Sequence, residues 1–130
     1  MGLFLILLLV GCDFLEVRDH HFASYHDAVE AGGVAKGWVL ELVPTTARDL
    51  RVRYDLDTGE VVNAFTADRA AVAALLDSRL PGTPQPPRDI PRWVAWDSRA
   101  ELVLLRTATG KRVGMTVTAH SGEIYMWIPG

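Results

Sequence analysis

The sequence predicts an α+β domain: an antiparallel sheet of about five strands, a hairpin plus a C-terminal three-stranded meander, with two helices packed mainly on one face. Three observations predict this fold class. Apolar and charged residues alternate before a tight-turn sequence near the middle of the chain. The last third contains three short strand-like runs separated by turn residues, and two other segments carry helix signals. Tight turns join antiparallel neighbours, and two helices can cover only one face of such a sheet well.

The first predicted helix spans residues 25–31. Ser24 can cap it through its hydroxyl, Asp27 places a carboxylate in its first turn, and Gly32-Gly33 ends it. Residues 36–44, KGWVLELVP, follow as a short apolar segment whose period does not distinguish strand from helix.

The predicted hairpin covers residues 50–65. Its turn is Asp57-Thr58-Gly59, since Asp and Gly provide the local hydrogen bond and the positive φ that such turns need. Apolar residues of the first strand alternate with charged ones, as in a half-buried strand. These apolar residues are Leu50, Val52, Tyr54 and Leu56.

A second helix is predicted across residues 72–80, with Thr66 or Asp68 as its cap and Pro81-Gly82 at its end. The loop that follows, residues 81–91 (PGTPQPPRDIP), must run over the surface because proline lacks the amide hydrogen that a sheet ladder needs.

The predicted meander consists of strands at residues 101–107, 113–119 and 123–128, joined by turns at 108–111 and 120–122. In the last strand, side chains alternate between the two faces of the sheet. Ile124, Met126 and Ile128 therefore lie on the face opposite Tyr125 and Trp127.

An uncharged apolar segment, residues 2–10, precedes the single cysteine, Cys12. The segment has the length of a secretory signal core and is shorter than the ~20 residues of a membrane-spanning helix. The sequence Leu9-Val10-Gly11-Cys12 resembles the lipobox of bacterial lipoproteins. The resemblance implies cleavage between Gly11 and Cys12, a lipid on the Cys12 sulfur and acylation of the new amine. The alternative is a buried, unreactive cysteine after an ordinary signal or N-terminal helix.

These features divide the chain into a signal peptide (1–11), a lipidated cysteine and tether (12–22) and a single domain (23–130). Residues 13–22 have no period and are typical of a tether or an early edge element. The net charge of −3 lies beyond Cys12, and no basic stripe suited to tracking phosphates is present in the sequence. We therefore expect no nucleic-acid partner.

Residues 22–65 resemble small bacterial lipoproteins of unknown function. The likeness lies in FASYHDAVEAGGVAKGWV and PTTARDLRVRYDLDTGEVVNAF, which contain a Tyr-containing helix, a Gly-Trp segment and an Asp-x-Asp-Thr hairpin. This resemblance agrees with lipid anchoring and implies no activity.

No catalytic, metal or cofactor site is expected from the sequence. The Asp57-Thr58-Gly59 motif resembles the aspartic protease signature, but one copy supplies one carboxylate where the mechanism needs two. Adjacent His20 and His21 on an extended segment point in opposite directions, so they cannot chelate one ion together. His26 lies nearby in the sequence, and we interpret all three histidines as surface residues.

Aromatic residues form the candidate binding surface: Tyr125, Trp127, Trp93 and Trp96. If one sheet face were open, Tyr125 and Trp127 would lie exposed on it. The alternative is a second covering layer made of the proline-rich loop with Trp93 or Trp96, because large aromatic side chains are usually buried.

The sequence thus predicts a lipid-anchored envelope protein whose non-enzymatic domain faces the periplasm, with the choice of inner or outer membrane open. Its expected partners are the membrane, through lipid on Cys12, and another envelope protein or a cell-wall component. The alternative function is a periplasmic inhibitor of a hydrolase or protease, since a loop such as 81–91 could enter a partner's cleft.

Overall fold

The computed structural model describes residues 17–118 and 122–129, which contain one open antiparallel sheet of seven strands. The strands are β1 (Val17–Ser24), β2 (Arg48–Asp55), β3 (Val61–Thr66), β4 (Arg79–Leu80), β5 (Val103–Arg106), β6 (Arg112–Val117) and β7 (Glu123–Trp127). Their order across the sheet is β1-β2-β3-β7-β6-β5-β4. Two meanders therefore run inward from the two edges and meet where β3 pairs with β7.

Two short helices complete the secondary structure of the described residues, α1 (Tyr25–Glu30) and α2 (Arg69–Leu76). The Ser24 hydroxyl accepts a hydrogen bond from the Asp27 N–H at the start of α1, which confirms the predicted cap. Asp68 caps α2 by accepting from the Ala71 N–H. Neither helix has the length and apolar character that crossing a membrane would require.

The predicted α+β fold with five strands is wrong, because the described residues form a mostly β structure with seven strands and only two short helices. Two strands were missed. β1 occupies residues 17–22 of the predicted tether, where charged residues are tolerated because the strand lies at the edge of the sheet. β4 replaces the end of the predicted second helix, and its two residues are too few to show a period.

One face of the sheet, here the helix face, carries the larger core. Both helices contribute buried residues to it, Ala28 from α1 and Leu75 from α2. The irregular segment 31–47 covers much of the remaining area through Val39, Leu40 and Val43. The sheet contributes Leu50, Val52, Tyr54, Val61, Phe65, Val103, Leu105, Val113, Met115, Ile124 and Met126.

The opposite face, here the segment face, is covered by residues 81–102, which contain no helix and no strand and are called the covering segment. Val94 packs with Ala64 and Tyr125 of the sheet in a second buried cluster, and Ile90 packs against it. The sheet is therefore covered on both faces. Two helices and segment 31–47 cover the helix face, and the covering segment covers the segment face.

One end of the sheet is called the hairpin end, because it carries the β2–β3 turn. Pairing of Val17 with Asp55 places the start of β1 there, and pairing of Val62 with Trp127 places the end of β7 there. The β5–β6 turn lies at the same end, since Arg106 pairs with Arg112.

Replacing Gly114 with alanine is expected to lower the free energy of unfolding by about 1–3 kcal/mol, the usual cost of overpacking a core. Gly114 pairs with Trp127 across β6 and β7, and a Cβ at this position would overlap the indole ring. Urea unfolding of Gly114→Ala measures the loss. The same substitution in a Trp127→Ala background should cost little, so an equal cost in both backgrounds would contradict this explanation.

Candidate functional site

The predicted lipidation residue Cys12 and cleavage residue Gly11 lie outside the described residues. Their roles therefore stay predictions. Val17, the first described residue, follows Cys12 by five positions and begins β1 at the hairpin end.

Tyr125 and Trp127 are both only 1% exposed and lie beneath the covering segment. The Trp127 Nε1–H donates to the Gln85 carbonyl at 2.7 Å, and the Tyr125 hydroxyl accepts from the Ala95 N–H at 3.0 Å. The Trp96 ring meets Trp127 edge-on, with 5.4 Å between ring centroids. Burial raises the pKa of Tyr125. The covering segment therefore forms a second layer over Tyr125 and Trp127. These two residues of β7 offer no open binding patch.

Trp93 reaches a different part of the sheet. Its Nε1–H donates to the Asp19 carboxylate on β1 at 3.4 Å, and the same carboxylate forms a two-point ion pair with Arg53 on β2. The hydrogen-bonded Arg53 guanidinium lowers the pKa of Asp19, and Asp19 in turn raises the pKa of Arg53. Trp93 therefore ties the covering segment to the edge of the sheet.

Replacing Asp19 with asparagine is expected to lower the free energy of unfolding by about 0.2–1 kcal/mol at neutral pH, because the pair is partly exposed. The folded-state pKa of Asp19 lies below its ordinary value. Its stabilisation is therefore full above the ordinary carboxyl pKa of about 4 and is lost as the pH falls through the folded-state pKa. Urea unfolding of wild type and Asp19→Asn from pH 7 to pH 2.5 should give a gap that closes in acid.

Asp57→Asn is the matched control for this pH series, because among the described residues no cation lies within ion-pair distance of Asp57. It removes one carboxylate from the chain without removing an ion pair, so the series measures the effect of the loss of charge alone. A gap for Asp19→Asn that stays constant down to pH 2.5 would contradict the ion-pair explanation.

A half-open groove of about 720 Å³ extends to the hairpin end and is called the end groove. Segment 34–41 lines it from the helix face, residues 83–85 line it from the segment face, and β5, β6 and the end of β7 lie between. Its apolar lining includes Val34, Val39, Leu40, Leu104, Val113 and Ile128. Ile128 is 43% exposed, so the groove presents apolar surface to solvent at its mouth.

The polar lining of the end groove contains one carboxylate and two cations. Glu41 accepts hydrogen bonds from the Thr109 hydroxyl at 3.2 and 3.3 Å. Lys111 and Arg112 are exposed, and no carboxylate of the described residues lies within ion-pair distance of either side chain. The groove can therefore bury an apolar group while offering two unneutralised positive charges to an anion.

Asn63 holds the helix-face wall of the end groove in place. Its buried side chain accepts from the Leu40 N–H at 2.8 Å and donates to the Trp38 carbonyl at 2.8 Å. Trp38 also stacks on Tyr54, with 4.3 Å between ring centroids. We did not single out Asn63 in the sequence. The sequence does contain a signal for this role, because Asn63 is a polar residue inside the apolar run VVNAF. A side-chain amide that is buried within a strand needs hydrogen-bond partners from another segment.

The three histidines near the start of the sheet, His20, His21 and His26, occupy separate places. His20 stacks on Trp38, with ring centroids 5.0 Å apart, while exposed His26 pairs with Glu30 within α1. His21 lies 3.8 Å from the Asp49 carboxylate. Across residues 17–118 and 122–129, no three His, Cys, Asp or Glu side chains are grouped so as to hold a metal ion. The Asp57-Thr58-Gly59 sequence forms the β2–β3 turn, with Gly59 at φ 73°.

Residues 16–66 match the YbbD head domain. The matched range contains β1, α1, β2 and β3, together with segment 34–41 and Asn63. It also includes residues 22–65, over which the sequence resembles small bacterial lipoproteins. No curated protein and no solved structure matches the chain.

Proposed function

We propose that this protein is a bacterial envelope lipoprotein, anchored through lipid on Cys12, whose non-enzymatic domain binds its partner in the end groove. The observation that carries the proposal is the groove itself. A volume of about 720 Å³ lies within the range of ~300–1,000 Å³ usual for ligand sites. An apolar lining with a few polar groups at its edge is the usual composition of such sites.

The anchor is supported by the lipobox-like sequence Leu9-Val10-Gly11-Cys12. A single acyl chain binds a membrane only marginally, at about 10⁴ M⁻¹, so stable attachment needs the two or three chains that lipoprotein processing provides. The domain would then face the periplasm from the inner or the outer membrane.

Another envelope protein or a cell-wall component remains the proposed class of partner. The inhibitor alternative requires the proline-rich loop to enter a partner's cleft. Pro91 and Val94 are instead buried against the sheet, and Trp127 and Tyr125 hold the covering segment at Gln85 and Ala95. This arrangement favours binding in the groove over inhibition by a projecting loop.

The intact mass of the protein purified from bacterial membranes tests the anchor. We expect a mass that lacks residues 1–11 and includes acyl chains, and we expect Cys12→Ala to abolish both changes. An unmodified full-length mass would contradict lipid anchoring.

Affinity capture from solubilised membranes tests the groove. Ile128→Asp places a carboxylate at the groove mouth and is expected to remove most of the captured partner. Val117→Asp is the matched control, because Val117 is 38% exposed but lies near the opposite end of the sheet. Equal capture by the two variants would contradict binding in the groove, and stoichiometric capture of one hydrolase would favour the inhibitor alternative.

A further inference from the structure

The end groove lies at the end of the sheet to which a lipid on Cys12 would be tethered. Val17 pairs with Asp55 at the hairpin end and follows Cys12 by five residues. Five residues span at most ~18 Å when fully extended. A lipid on Cys12 would therefore keep the start of β1 within about that distance of the bilayer surface. Ile128 and the β5–β6 turn lie at the same end of the sheet, with β7 three strands and β6 four strands across from β1.

Charge in the lining of the end groove is locally positive although the whole protein is acidic. Lys111 and Arg112 line the groove without a carboxylate partner in the described structure, whereas the groove carboxylate Glu41 is bound by Thr109. On the β2–β3 hairpin at the same end of the sheet, the Glu60 carboxylate faces Arg88 at 3.7 Å. An anionic group in the groove would therefore meet two cations and one carboxylate, a local charge that is still positive.

We propose that the end groove binds an aliphatic chain of an anionic lipid from the same membrane, with Lys111 and Arg112 contacting its phosphate. This inference rests on the proposed function, because the anchor is what brings the groove to the bilayer. A half-open groove that has an apolar lining and two exposed cations fits an amphiphile with a negative head group.

Photo-crosslinking in vesicles tests the lipid site. The protein purified from bacterial membranes is reconstituted into phosphatidylcholine vesicles that contain phosphatidylglycerol with a diazirine in one acyl chain. After illumination, we expect cross-linked peptides from segment 34–41 and from residues 104–113. Cross-links confined to residues outside the groove would overturn the proposal.

Two pairs of variants make the test specific. Ile128→Asp is expected to lower groove cross-linking at least fivefold, whereas the control Val117→Asp leaves it unchanged. Arg112→Gln should lower it at least threefold with the phosphatidylglycerol probe but not with a diazirine-labelled phosphatidylcholine probe. Arg69→Gln, on α2, is the charge-matched control. Equal labelling of wild type and Ile128→Asp would overturn the proposal.

The intact mass of the same preparation separates this inference from the proposed function. If Cys12 carries acyl chains and the groove is not labelled, the lipid site is wrong and the anchor stands. If Cys12 is unmodified, the anchor is wrong. In that case, if the groove is labelled and Ile128→Asp abolishes the labelling, the lipid site is still supported. If the groove is not labelled either, both the anchor and the lipid site are wrong.

Discussion

Replacing Trp127 with alanine is expected to lower the free energy of unfolding by about 3–5 kcal/mol, the cost of truncating a fully buried aromatic residue. Trp127 is 1% exposed, contacts Trp96 at its edge and donates to the Gln85 carbonyl. The substitution removes apolar contacts from the segment face and a hydrogen bond that holds the covering segment. Guanidinium unfolding monitored by circular dichroism measures the loss.

Trp127→Phe separates packing from hydrogen bonding. Phenylalanine keeps most of the ring contacts but cannot donate to the carbonyl of exposed Gln85, so we expect a smaller loss of about 0.5–1.5 kcal/mol, the net contribution of a typical hydrogen bond. A near-zero effect of Trp127→Ala would contradict the buried position of this residue and would restore it as a candidate surface residue.

Replacing Asn63 with leucine is expected to cost about 2–4 kcal/mol of unfolding free energy. The change leaves the Leu40 N–H and the Trp38 carbonyl without their side-chain partner, and an unpaired buried polar group costs about 1–3 kcal/mol. Segment 34–41 should also loosen. Urea unfolding measures the stability, and hydrogen exchange at the Leu40 amide reports on the segment.

Thr66→Val is the control for Asn63→Leu, because the Thr66 hydroxyl donates to the Arg48 carbonyl in a solvent-exposed setting. It should change stability by less than about 0.5 kcal/mol, as surface substitutions usually do. Unchanged exchange at Leu40 in Asn63→Leu would show that other contacts, such as the stacking of Trp38 on Tyr54, hold the groove wall.

Local signals in the sequence predicted local structure well. Ser24 caps α1, Gly59 occupies the β2–β3 turn with positive φ, and the three predicted strands of the last third correspond to β5, β6 and β7. In each case, neighbouring residues carry the information, through a side-chain cap, a glycine in a turn or alternation along a strand.

Long-range structure could not be predicted in the same way. The sequence of β1 resembles that of a tether, because the polar residues of an edge strand leave no clear apolar period. Residues 17–24 form a strand by pairing with β2, which begins 24 residues after β1 ends. The end groove is assembled from segment 34–41, residues 83–85 and the region around Lys111, which no local pattern connects. Asn63 is the exception, since its polarity within an apolar strand signals a partner elsewhere.

Pairing of β3 with β7 also has a kinetic consequence. The two strands that join the meanders bring Val62 beside Trp127, about half the chain length apart, and β7 is the final strand in the described sequence. A sheet whose central ladder depends on such distant partners has a high contact order, and proteins of this kind usually fold in milliseconds to seconds. The central ladder cannot close until β7 is available, so a chain emerging from a ribosome or a secretion pore keeps β3 without this neighbour until residues 123–127 have arrived.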